Sequence, residues 1–327
     1  MDLEVNMEND EVHRSFDPLY AGSDDVQEVI ARKPLFAHYT SLDALEKILT
    51  SREIWFSNPL FMNDLEEVRF GVLRGTDEII ESKDIAEAFG SRERNDIFLN
   101  NLIQYKTQFE DVEAFDTYVF CVSEHNPKNE DGLLSMWRGY GGNGKGAAII
   151  FDSERIPFSE GGVLILGKVH YASKENRIEY IRKIASVFSN IVKSTQINDS
   201  QIYIAAHAIF QRIVLFALFS KHHGFLEEQE WRLVYLSARD SEKKFELMKN
   251  YFNGPRGMEP KLRLEIRPGV GAMPSHLFLE DMIHSIILGP NSSSKLALRS
   301  VERMLDILKL SELKGRLKAS EIPLRDA

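Results

Sequence analysis

Leu35-Phe-Ala-His-Tyr-Thr-Ser-Leu-Asp-Ala-Leu-Glu-Lys-Ile-Leu-Thr-Ser-Arg-Glu-Ile-Trp-Phe-Ser57 is the stretch whose reading decides the fold. Pro34 holds the chain extended ahead of it, and Leu35 to Tyr39 reads as a short strand. Thr40-Ser-Leu-Asp43 has the form of a capping box that opens a helix, with Leu42, Leu45, Ile48 and Leu49 on its apolar face. Glu53 to Ser57 is a second short strand, closed by Asn58-Pro59. The unit is therefore strand, amphipathic helix, strand.

Working outward, residues 64 to about 109 are charged, with apolar residues at three- and four-residue steps, and read as mostly helical. Strands are expected at Thr117–Ser123, Gly146–Asp152, Val163–Tyr171, Trp231–Leu236, Leu262–Ile266 and Ser285–Leu288. A helix over about 174–192 is amphipathic. The one over about 199–221 is apolar almost all round, which argues for a central, buried helix. A last helix covers 295–308. Strands and helices are mixed without regular alternation, no period of 20–50 residues repeats, and no linker interrupts residues 34–323. The expectation is one α+β domain over 34–323 with helical insertions in a mixed or antiparallel sheet. Residues 1–33 carry nine acids and one base in their first 30 positions, and read as a mobile or loosely attached segment.

The chain has 327 residues, 40 Lys+Arg against 50 Asp+Glu, and a formal net charge of −10. Such a chain gains nothing from counterion release on bulk nucleic acid or from anionic membranes. The single cysteine, Cys121, excludes a disulfide framework within the chain and a Cys-based zinc cluster. No run approaches 18 apolar residues, and the N-terminus is acidic where a signal peptide would be basic and then apolar. A cytoplasmic protein without membrane partners is expected.

Gly139-Tyr-Gly-Gly-Asn-Gly-Lys145 fits seven positions of a phosphate-binding loop, but Gly146 stands where Ser or Thr should ligate magnesium, and the run opens a strand instead of a helix. His222 and His223 are neighbours whose rings would point apart on a helix, and no H-x-x-x-H pair suggests a metal; none is expected. Cys121, mid-strand in an apolar run, reads as a buried inert thiol. Two places remain. His38-Tyr39-Thr40 ends the first strand at the mouth of a helix, where a histidine meets a ligand hydroxyl and backbone NH groups meet an anion. Glu228 and Glu230, one residue apart entering a strand, would share a face and raise a pKa unless they share a hydroxyl or a cation. A strand-end His and a later strand-start Glu can face each other across a cleft.

Phe36 to Leu49, Ile54-Trp-Phe-Ser-Asn-Pro59 and Met62-Asn-Asp-Leu-Glu66 resemble the opening of the bacterial domain of unknown function DUF2971. The resemblance continues through Phe120–Ser123, Met136-Trp137, Tyr140, Gly144–Gly146, Glu228-x-Glu230-Trp-Arg232 and Ile286–Pro290, and covers roughly 34–323. More distantly, the strand-end His before an L-x-x-I-L helix resembles the ADP-ribosyltransferase superfamily. That likeness implies a split β-sheet cleft binding NAD as substrate. His38, with Tyr39 and Thr40, would hold the adenosine-side ribose or adjoining backbone, and Phe56 or Ser57 would flank nicotinamide. Glu230 would hold the nicotinamide-ribose 2′-OH and stabilise the charge left when nicotinamide departs, while Glu228 would activate an acceptor. Arg232 and Lys221 would neutralise phosphate, and Trp137 and Tyr140 would stack on a ring. The implied activity is transfer of ADP-ribose to a nucleic acid or protein acceptor, as in a toxin or antiphage defence effector. The alternatives are a non-catalytic NAD- or ADP-ribose-sensing or protein-interaction module and, last, a metal-dependent nuclease built on Glu228, Glu230 and Asp64.

Overall fold

A computed structural model describes residues 2–22, 25–62, 65–157, 162–254, 257–270 and 274–324. Two helices, α1 (Asp2–Ser15) and α2 (Val26–Arg32), precede the unit that decides the fold, which forms as β1 (Leu35–Thr40), α3 (Leu42–Ser51) and β2 (Glu53–Ser57). The cap of α3 is Ser41, whose hydroxyl accepts from the Ala44 NH at 3.1 Å. Thr40 remains in β1, paired with Ala147. Next come α4 (Leu65–Ile80), α5 (Lys83–Ala88), α6 (Arg92–Asp111), β3 (Thr117–His125), α7 (Leu134–Gly139), β4 (Ala147–Asp152), β5 (Leu164–Lys168) and β6 (His170–Ala172). The chain continues through α8 (Lys174–Ser194), α9 (Ile202–Leu218), β7 (Ser220–His222) and β8 (Glu230–Leu236). It closes with β9 (Lys249–Gly254), β10 (Gly257–Glu265), α10 (Leu279–Met282), β11 (Ile283–Leu288), α11 (Lys295–Ile307) and β12 (Leu317–Ala319). The turn-forming pair Asn63-Asp64 lies outside the described residues.

Ten strands form one mixed sheet, in the order β12-β11-β4-β1-β3-β2-β10-β9, with β8 on β3 and β5 on β8. All its pairs are antiparallel except β11 with β12. Alternation along β3 and β8 separates two cores. Val119, Val234 and Leu236 face the helical layer of α4, α5, α6, α8 and α9, while Tyr118, Phe120, Trp231 and Tyr235 face the opposite side, towards α2, α3 and α11. The stretch Asp199–Leu218 is long and apolar enough to cross a membrane by length and composition, yet 83% of its window is buried inside the protein. α9 is the central helix that its apolar circumference predicts, flanked by α4, α6 and α8.

The expectation for residues 1–33 needs correction wherever they are described. Val12, Phe16 and Leu19 enter the helical core, Val26 and Val29 enter the other, and Phe16 stacks on Phe188 at 5.7 Å. Apolar residues at four- and three-residue steps are enough to dock an otherwise acidic segment, because the acids can stay on its outer side.

The glycine-rich run opens β4, as its context predicts. Its donors are used at home: Gly144 NH bonds Trp137 O and Gly141 O, Lys145 NH bonds Gly142 O, and Gly146 NH bonds Gly141 O. A Cβ on Gly146 would overlap the Thr40 carbonyl oxygen, so glycine there lets the loop lie against β1. Gly146→Ala is expected to cost about 1–3 kcal/mol by overpacking. A urea midpoint equal to that of the wild type would remove this account of the loop.

Candidate functional site

β3 has one fully paired edge and one that comes apart. Along the first, β8 pairs from Thr117↔Leu236 to Ser123↔Glu230. Along the second, β1 pairs only from Leu35↔His125 to Ala37↔Ser123, and β2 only at Ser57↔Val119. Among the described pairings, no strand meets that edge between Val119 and Ser123. The last half of β1 follows β4 instead, pairing His38 with Ile149 and Thr40 with Ala147, while β2 follows β10 from Ser57↔Lys261 to Glu53↔Glu265. The parting leaves a cavity of about 310 Å³ lined by His38, Tyr39, Trp55, Ser57, Cys121, Tyr140, Lys221, Glu228 and Glu230, among others.

His38 occupies the gap. Its Nδ1 lies 3.1 Å from the Cys121 carbonyl, on the unpaired part of β3, and its ring packs against Phe120 at 4.6 Å, tilted by 32°. A carbonyl only accepts, so Nδ1 donates. Burial lowers the His38 pKa, and the bond to Cys121 opposes the shift only in part. The neutral ring then leaves Nε2 as an acceptor.

Opposite stands a four-charge cluster. Alternation puts Glu230 and Arg232 on the same side of β8. Arg232 Nε donates to Glu230 Oε1 at 2.8 Å and Nη2 to Oε2 at 3.1 Å. Lys221 Nζ donates to Glu228 Oε2 at 2.6 Å and to Glu230 Oε2 at 3.2 Å. The Tyr140 hydroxyl donates to Glu228 Oε1 at 3.0 Å. Burial pushes the Glu230 carboxyl up, but the charge and hydrogen bonds of Arg232, then Lys221 and the Cys121 thiol, more than reverse this and bring it down to about 2. Two bases against two acids make a buried group without net charge, the form in which buried ions are tolerated.

Several placements differ from the sequence reading. Glu228 and Glu230 do not share a strand: Glu228 ends a 3₁₀ turn (His223–Glu228), and Gln229, at φ 44°, turns the chain so that both reach Lys221. The pair is held by cations, so the Glu230 pKa falls where repulsion between the acids would raise it. Phe56 is fully buried on the opposite face, so Ser57 alone of that pair lines the cavity. Trp137 is 0% exposed, its Nε1 donating to Asp131 O, and stands in the core. Tyr39 lines the cavity with its ring edge against Trp137, but its hydroxyl accepts from Leu133 NH. Thr40 is not among the lining residues, and Arg232 lies behind Glu230 without lining it. Cys121 is half-buried and lines the cavity, contrary to the inert buried thiol expected. The rings of His222 and His223 lie 4.2 Å apart, because a strand–turn junction, not a helix, joins them. Among the described residues, no group of three or more His, Cys, Asp or Glu could hold a metal ion; Asp64 lies outside them.

Trp55 and Met136 are lining residues that the sequence reading gave no role, and Lys221, expected to neutralise phosphate, lines the cavity paired with Glu228 and Glu230. The pairing of Lys221 with the two acids had a signal in the sequence: two carboxylates beside a buried strand require cations, and Lys221 and Arg232 are the bases nearest to them.

A family described as protein of unknown function (DUF2971) matches residues 136–233. The match runs from α7 into β8 and so includes the lining residues Tyr140, Lys221, Glu228 and Glu230, with Arg232 behind them. No curated protein and no solved structure matches the chain.

Proposed function

We propose that the parted edge of β3 is the cleft for the nicotinamide–ribose half of NAD, and that the chain breaks the bond between those two rings and passes ADP-ribose to a nucleic acid or protein acceptor. One observation carries the reading: a single cavity, within the usual size range of ligand pockets, is lined by both His38 and Glu230. In the reaction, nicotinamide leaves with the electron pair of its bond to the ribose C1′, and positive charge develops on the ribosyl ring. A lone pair of the acceptor forms the new bond to C1′, and the acceptor loses its proton. Glu230 stays ionised down to a pH of about 2 and is oriented by Arg232 before any ligand arrives, which is what stabilisation of a developing cation requires. His38 Nε2 accepts from a ribose hydroxyl. Glu228, bonded to the partly exposed Tyr140, is the base that takes up the acceptor's proton.

Purified protein incubated with NAD and cell extract should release nicotinamide. Glu230→Gln is expected to lower that rate by roughly 10²–10³-fold, the scale of losing one preorganised electrostatic partner. An unchanged rate would remove Glu230 from the mechanism.

A second reading, binding without turnover, has an observation of its own. Both Glu230 oxygens already accept from Arg232 or Lys221, so part of the negative charge meant for the ribosyl cation is offset. Saturable NAD binding by wild-type protein that releases no nicotinamide selects this sensing role.

A further inference from the structure

On the opposite face of the sheet lies a second cavity of about 290 Å³, which meets the polar one at Phe120 and Val122. Phe36, Phe56, Phe151, Leu166, Phe245 and Leu264 form much of its wall, each 5% exposed or less. Among the described lining residues, Lys244 is the only one with a polar side chain. Protein interiors are packed so that few voids exceed one water molecule, and this one is close to twice the roughly 150 Å³ of an apolar cavity known to bind benzene. Water has few hydrogen-bond partners on such a wall. Hydrocarbon fills it without leaving a polar group unsatisfied.

We propose that this cavity binds an amphiphile with a flexible hydrocarbon chain and an anionic head, the chain lying among the phenylalanines and the head on Lys244. Lys244 suits that role because its present partner is replaceable: Nζ lies 3.0 Å from Glu242, with Lys244 half-solvated and Glu242 largely so, at 48% and 72% exposure. An exposed pair of this kind contributes little to stability, so exchanging it for a ligand carboxylate that caps a buried chain is favourable. The site is independent of the NAD reading and would survive its failure.

Calorimetric titration of the full chain with n-alkanoates from octanoate to dodecanoate, below their micelle concentrations, and with the matching 1-alkanols tests the proposal. One saturable site is expected, with each added methylene tightening Kd about fourfold. Lys244→Ala should weaken dodecanoate about tenfold and leave 1-dodecanol unchanged. Leu233→Trp, which puts a large ring into the cavity, should abolish both. Three results overturn the proposal: no saturable binding, full binding retained by folded Leu233→Trp, or Lys244→Ala failing to separate acid from alcohol. Should Leu233→Trp not fold, the Lys244 comparison decides alone, because that side chain is half-solvated.

Discussion

Glu230→Ala is expected to lower the unfolding free energy by about 3–5 kcal/mol, enough to unfold a marginal protein. The cost comes from what remains behind. Arg232 is 2% exposed and Lys221 is 1% exposed, and Glu230→Ala removes the two hydrogen bonds that the guanidinium donates to Glu230 and one of the carboxylates that Lys221 meets, while Arg232 Nη1 still donates to the Leu218 carbonyl and Lys221 still meets Glu228. Two buried cations then face one buried carboxylate, and the charge left over has lost its solvation without a counter-charge to offset it. Glu228→Ala should cost less, because Lys221 retains Glu230 and Tyr140 is partly exposed. Urea unfolding of the two variants gives the comparison. A Glu230→Ala cost below about 1 kcal/mol, or a larger cost for Glu228→Ala, would show that the cluster is not organised around Glu230.

Acid should remove that stabilisation over a defined range. The Glu230 carboxyl titrates near 4.5 in the unfolded chain and is brought down to about 2 in the folded one. Its folded pKa is depressed, so its contribution is complete above pH 4.5 and is lost as pH falls towards 2. The loss is on the order of 3 kcal/mol. His38 acts in the same direction at higher pH. Its folded pKa lies below the ordinary histidine value of 6.5, so the unfolded chain takes up that proton first and stability begins to fall below pH 6.5. Stability measured against pH for wild type and Glu230→Gln separates the two: the variant's curve should be shallower than that of the wild type between pH 4.5 and 2, where Glu124 and Asp240 still contribute, and should keep the slope just below 6.5. Parallel curves below pH 4.5 would contradict the charge pairing of Glu230.

Local signals made part of this molecule legible in its sequence. Pro34, the polar run Thr40–Asp43 and the spacing of Leu42, Leu45 and Leu49 are decided within a few residues, and the strand–helix–strand unit forms there, with the cap one residue later, at Ser41, than the capping box put it. α9 was legible because an all-round apolar helix has to be buried. The site was less so. Alternation shows that Phe56 and Ser57 face opposite ways, but not which face holds the polar cavity, because that depends on β1 and β2 leaving β3 in different directions. Trp137, read as a ring for stacking, stands in the core with its Nε1 donating to the carbonyl of Asp131, six residues before it. The turn that brings Glu228 beside Glu230 depends on Gln229 in a left-handed conformation, which a glycine would have announced and a glutamine does not. The docking of α1 was hidden by acidic composition, since charge count says nothing about which side of a helix the charges occupy.

Titration of NAD into wild-type protein and into His38→Leu by calorimetry tests the central claim most directly, because it asks whether the parted edge of β3 is where the ligand goes. One saturable site in the wild type, weakened at least about tenfold when the Nε2 acceptor is removed, is the expected outcome. No binding by the wild type, or equal affinity in the two proteins, would show that the cavity between β1 and β2 is not an NAD cleft.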